Sequence, residues 1–332
     1  MRERVTIALG LVISAAALWA VIGSIDAGAA QTLLGTADIR PLILIPIVLA
    51  AQVVLRAIRW SHLILQSPRI PVRRTLPPLL IGYLGNAVLP ARLGDAMRAV
   101  IVSRRERIDI VQSLGTVLLE RVIDLATLAP IALTAALVTG APGWAVQIAA
   151  IATIGGGAVL VILTTTGIDP LVHIADRWGF ADRSSLRSIA ARLAAVVGGA
   201  SRRRPIALAA AISTTAWFLD AASFWLAAQA LGIEASYPAA MLIGAIAVLG
   251  TAIPSAPGYV GTFELAASAT AVALGVPAES AVALAIVAHA MTLIPVATAG
   301  AVSLAVTGNS ISEVVGAARK TRRPKPLASQ QA

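Results

Sequence analysis

The chain has 332 residues, 58% of them hydrophobic and 13% charged, with a mean hydropathy of +0.85; a soluble domain carries about a quarter charged residues, so an ordinary soluble fold is excluded and a polytopic membrane protein expected. Without cysteine there is no disulfide, thiol nucleophile or thiolate metal site, and the widely spaced His62, His173 and His289 do not read as a metal cluster. The net charge of +10 does not read as nucleic-acid binding, because the Lys and Arg residues flank apolar runs as membrane-adjacent basic residues do.

Arg2 and Arg4 precede the first apolar run, 5–25. Ala27-Gly28-Ala29 resembles a cleavage site, but the run is long enough to span and longer than a signal core, so it reads as a retained span. The second span is 39–55, with a continuation through Arg59 left open. Four more follow at 112–138, 144–166, 205–231 and 280–307, making six full spans. Between them lie two broken segments. Residues 79–99 read LLIGYLGNAVLPARLGDAMRA and 241–267 read MLIGAIAVLGTAIPSAPGYVGTFELAA. Both open on Leu-Ile-Gly, are interrupted by Pro and Gly, and reach an acidic residue (Asp95, Glu264) soon after a Gly. Lipid cannot hydrogen-bond a peptide group, so broken backbone at membrane depth lies inside protein or beside a wet cavity. We read both as re-entrant hairpins, 75–103 and 239–275, and such breaks in matching places of two halves point to a transport site.

With both hairpins returning to the side they enter from, nearly all Lys and Arg residues fall on one side and Arg40 alone on the other. The positive-inside rule then places both termini in the cytoplasm. The hairpins enter from opposite faces, each followed by a span, which predicts an inverted repeat. Residues 1–316 are expected to form one integral membrane domain. Within it the loop 167–204 is a cytoplasmic amphipathic segment, and 317–332 is a basic, disordered tail.

Charges at membrane depth are costly and need a partner or a wet site. The third span holds Glu120, Arg121 and Asp124. Glu120 and Asp124 share a helix face; Arg121 is spaced to pair with Asp124, leaving Glu120 for Arg92 or Arg98. That set is either a structural lock or part of a ligand site. Arg92, Asp95 and Arg98 follow the break at Pro90 with spacing three and three, lining one face of the second arm. Its free N–H groups suit an anion such as phosphate, which Arg92 can grip bidentately; the alternative is that Arg92 snorkels to the interface. Asn86 is a neutral ligand candidate. In the second hairpin Pro254, Pro257 and Gly258 break the first arm, Gly261 permits close backbone approach, and Glu264 either caps the second arm or meets a ligand. Asp220, among aromatic residues in mid-span, and His289 are candidates for a proton relay; a lone His is also satisfied by a neighbouring carbonyl.

Three blocks, Asn86-Ala-Val-Leu-Pro-Ala-Arg-Leu-Gly-Asp95, Leu119-Glu-Arg-Val-Ile-Asp124 and Pro254-Ser-Ala-Pro-Gly-Tyr-Val-Gly-Thr-Phe-Glu264, resemble the signature blocks of the lysylphosphatidylglycerol synthase transmembrane region family. The resemblance runs from about residue 39 to 307. It implies a flippase-like fold with re-entrant hairpins and a central cavity holding the Arg92/Asp95, Glu120/Arg121/Asp124 and Glu264 positions. With the chain ending at Ala332, no aminoacyl-transferase domain is expected.

The expected function is a lipid translocase of the cytoplasmic membrane rather than an enzyme. Its substrate would be an anionic or aminoacylated phospholipid, or a polyprenyl-phosphate lipid. No nucleotide-binding P-loop is visible and no cofactor or metal is expected. A homodimer and a separate transferase are the partner arrangements left open. The rival reading is a membrane subunit that presents a lipid-linked substrate to a lipid-modifying or glycosyl-transferring enzyme.

Overall fold

The computed structural model describes residues 2–23, 35–64, 69–89, 92–165, 203–253 and 255–308, with the first helix's side chains described from Leu11. The expected amphipathic segment (but for Arg203 and Arg204), the basic tail, Pro90 and Pro254 lie outside these residues. Every described element is helical. They are α1 (Arg2–Ile22), α2 (Ile39–Leu63), α3 (Val72–Val88), α4 (Leu93–Glu106), α5 (Ile110–Val138), α6 (Gly143–Thr165), α7 (Arg203–Ala230), α8 (Tyr237–Gly250), a short 3-10 turn (Pro257–Tyr259), α9 (Thr262–Ala273) and α10 (Ala278–Thr307).

Polar residues at helix starts satisfy the first free N–H groups. Asp38 accepts from Arg40 N at 2.9 Å ahead of α2, and Asp109 from Val111 N and Gln112 N at 2.9 and 3.1 Å ahead of α5. Among the described residues, five helices are long and apolar enough to cross a membrane: α2, α5, α6, residues 204–230 of α7, and α10. The first expected span is helical over 21 residues. Bulky apolar side chains such as Ile151 and Ile154 stand about 70% exposed on α6, as a lipid-facing surface requires. The second span corrects its expected end: α2 runs on to Leu63, carrying Arg56 and Arg59 inside the helix rather than into a basic loop.

The packing is reciprocal between two halves, α2–α5 and α7–α10. Helices α2 and α7 pack on each other more extensively than any other pair. Arm α3 packs on α4 and on the distant α10; its counterpart α8 packs on α9 and on the distant α5. Likewise α4 lies on α5 as α9 lies on α10, and α2 on α10 as α7 on α5. Helices α6 and α1 stand outside this scheme, packed on α5 and α9. Gly94 lets the first pair of arms close: a Cβ there would sit 1.8 Å from the Gly82 carbonyl oxygen. Apolar clusters fill the seams, one joining Ile45, Phe224, Ile243, Phe263 and Leu284 from five helices.

Candidate functional site

The buried charges of the first half form one continuous, alternating chain. Arg59 on α2 is 3% exposed. Its Nε and Nη2 donate to Glu120 Oε1 at 3.3 and 3.1 Å, Nη2 donates to Asp124 Oδ2 at 3.2 Å, and Nη1 donates to Asp124 Oδ1 and to the Ser213 hydroxyl. Arg98 Nη1 lies 2.7 Å from Glu120 Oε2 and its Nε 3.5 Å from Asp95 Oδ1. Arg121 Nη2 donates to both oxygens of Asp95, at 2.9 and 2.7 Å. The order Asp124, Arg59, Glu120, Arg98, Asp95, Arg121 alternates in sign, so each buried charge has an opposite neighbour. It ties α2, α4 and α5 together.

This arrangement corrects one expected pairing. Arg121 does not take Asp124, which is held by Arg59 with Arg56 4.0 Å away. Of the two partners expected for Glu120, the structure selects Arg98. The physical reason is the length of α2: extending it by two turns carries a forked guanidinium between the two carboxylates of α5.

Arg92 also departs from the expected helix face. It is the cap of α4 in left-handed backbone (φ 53°), and it neither lines the arm nor snorkels. Its Nη2 donates to the Thr251 carbonyl and hydroxyl at 2.8 and 2.7 Å, and its Cζ lies 5.2 Å from the Tyr259 ring centre. Arg92 thereby bridges the tips of the two hairpins. Gly258 (φ 70°) sits against the first hairpin, its missing Cβ 3.3 Å from the Ala87 carbonyl. Gly261 (φ 92°) sits against α1, where a Cβ would lie 2.6 Å from the Ser14 carbonyl. Glu264 does two things at once. Oε2 accepts from Gly261 N at 2.6 Å, capping α9, and Oε1 lies 2.5 Å from His289 Nδ1. The His289 ring stacks on Phe263 with centroids 4.2 Å apart.

Between the halves lies a cavity of about 210 Å³. Of the predicted residues, Asn86, Arg92, Arg121, Asp220 and His289 line it. Asp95, Arg98, Glu120, Asp124, Gly258, Gly261 and Glu264 do not; they hold the lining residues or the backbone behind them. Sequence reasoning missed Arg56, Gln52, Trp217 and Tyr259, all in the wall. The signal for the first was present, since Arg56 and Arg59 continue an apolar run at helical spacing. Asp220 accepts from Gln52 Nε2 at 3.0 Å. Arg56 lies over Trp217, 4.6 Å from its ring centre. Four wall residues bury a polar atom without a hydrogen-bond partner: Arg56 Nε, Arg121 Nε, Trp217 Nε1 and Asn86 Oδ1. Three of the four are N–H donors, and the wall carries three guanidiniums against the single carboxylic acid Asp220. Buried donors left unmade are costly, and the wall as a whole carries an excess of positive charge. No group of three or more His, Asp or Glu side chains suited to a metal occurs among the described residues.

These features define a multi-pass helical membrane protein with a charged cavity where two broken hairpins meet. The chain belongs to the family described as "Lysylphosphatidylglycerol synthase TM region", whose model matches residues 7–300. It is also 28% identical over 329 residues to "Glycosyltransferase AglD" of Haloferax volcanii, an alignment covering 87% of this chain and 52% of the relative. The chain thus spans about half the length of the curated relative it matches. That relative's name overturns the expectation that the chain is not an enzyme, which rested on the lack of a visible metal cluster or nucleophilic triad.

Proposed function

We propose that the chain binds a lipid whose head group carries phosphate and passes that head across the membrane through the central cavity, the tails staying in the bilayer. The observation that supports it most is the cavity wall, where three guanidiniums, Arg56, Arg92 and Arg121, stand against the single carboxylic acid Asp220. The arms α4, α8 and α9 have 14, 14 and 12 residues, about 21 Å or less at 1.5 Å per residue, short of a 30 Å hydrocarbon core. In this reading they are re-entrant hairpins entering from opposite faces, the reciprocal packing is an inverted repeat, and both termini are cytoplasmic. Arg56, Arg92 and Arg121 hold the phosphate, and Asn86 and Asp220 contact the rest of the head group. The chain of buried charges from Asp124 to Arg121 keeps those groups in place.

A second reading is favoured by the relative's name: the cavity presents a polyprenyl-phosphate-linked sugar to glycosyl transfer. Proteoliposomes separate the two. The protein is reconstituted with fluorescent phospholipid or a short-chain polyprenyl-phosphate sugar, and leaflet exchange is read by quenching. Exchange that falls at least ten-fold in Arg92→Ala and in Arg56→Ala supports translocation. Wild-type exchange in both variants removes it. Lipid extracts from cells lacking the gene address the second reading, because transfer changes which lipids exist and translocation changes which leaflet holds them.

A further inference from the structure

The two halves carry equivalent acid–base pairs that differ in one chemical respect. Asp95 and Glu264 each lie two residues past the start of their arms, at Leu93 of α4 and Thr262 of α9. Each meets a basic group on the long helix that follows, Arg121 on α5 and His289 on α10. These occupy the same register, eleven residues after Ile110 and Ala278. The sequence separations within the pairs are 26 and 25. Both basic residues line the cavity and both acids stand behind them. The first pair is an always-charged guanidinium on a carboxylate. The second is an imidazole, the one side chain whose ordinary titration falls between pH 5 and 8.

We infer that His289 with Glu264 is a proton-binding site reached from the central cavity, and that its occupancy sets how firmly the second hairpin's tip is held while the first stays locked. His289 Nδ1 faces Glu264, so Nε2 is the atom that takes the proton. Uptake turns a neutral imidazole donor on a carboxylate into an ion pair on the same carboxylate, which strengthens the bond. Glu264 Oε2 also holds Gly261 N, at the positive-φ glycine packed against Ser14, so the change reaches the tip directly. The titratable and charged groups sharing the cavity with His289 are Arg56 on α2, Tyr83 on α3, Arg92 at the cap of α4, Arg121 on α5, Asp220 on α7 and Tyr259 at the tip. Phe263 of α9 and the Ser14 region of α1 bring no charge. Of these groups Glu264 alone is bonded to the imidazole. The sign follows: the pair is strongest with the added proton on His289, so the hold weakens as pH rises.

The inference does not require lipid to be the cavity's occupant, and its test does not read transport. Hydrogen exchange is followed by mass spectrometry on the full chain in lipid nanodiscs between pH 5.5 and 8.5, with intrinsic exchange rates divided out. The amides of residues 261–265 are compared with those of 93–97 in the same sample. We expect exchange at 261–265 to rise about five-fold across this range, the ion pair giving way to a single charged partner, while 93–97 stays flat. His289→Arg installs the first half's chemistry and should give protection at 261–265 independent of pH. Arg121→His should move a pH dependence to 93–97. A flat wild-type profile at 261–265, or a pH dependence that survives His289→Arg or His289→Gln, overturns the inference. The unperturbed segment of each variant reports whether it is folded.

Discussion

Replacing Arg59 with Met removes the centre of the buried charge chain. Arg59 is 3% exposed and serves two carboxylates. Glu120 keeps Arg98 at 2.7 Å, whereas Asp124 keeps only Arg56 at 4.0 Å. The loss therefore falls mainly on Asp124, left buried with a distant counter-charge. Breaking a buried pair from one side costs about 3–5 kcal/mol. At about 2–4 °C per kcal/mol for a large domain, the melting temperature falls by roughly 10 °C. Arg59→Lys recovers only part of this, because a point charge cannot fork between two carboxylates. Neutralising the stranded Asp124 as well should restore part of the stability, since the cost lies in an uncompensated buried charge. The assay is thermal unfolding in detergent of wild type, Arg59→Met, and Arg59→Met combined with Asp124→Asn. The reasoning fails if Arg59→Met melts within about 2 °C of wild type, a cost under about 1 kcal/mol, or if the double variant melts no higher than the single one.

Gly261→Ala should destabilise by about 2 kcal/mol or more, because φ is 92° and the new methyl would meet the Ser14 carbonyl at 2.6 Å. Gly157→Ala on α6 meets nothing within 4 Å and should be neutral or stabilising by up to about 1 kcal/mol; both are read by thermal unfolding. Arg92→Lys keeps the charge but loses the planar contact with Tyr259 and the guanidinium N–H groups left over once Nη2 is bonded to Thr251, so head-group exchange in proteoliposomes should fall about ten-fold with little change in melting temperature. Because the chain has no cysteine, single-cysteine variants report topology without background. Cysteines near residues 2 and 105 should react with an impermeant reagent from the same side, and one at Ile154 from neither.

The membrane class, the long spans, both breaks and the family were legible in the sequence, because each rests on local chemistry. Apolar length reports bilayer thickness, and Pro and Gly interrupt helices wherever they stand. The Glu120–Arg98 contact also followed from the costs of burying charge. The other partners did not. Arg121 sits three residues before Asp124 and reads as its partner, yet it turns to Asp95 on the hairpin. Arg59 stands past the expected end of the second span, with its place in the helix left open, and is the most heavily bonded charge among the described residues. Arg92 joins Thr251, 159 residues away. Sequence spacing states which side chains share a helix face, but not which neighbouring helix that face is turned toward. The tertiary structure decides that rotation, because helices buried against one another settle where desolvated charges such as Arg59, Glu120 and Asp124 find an opposite.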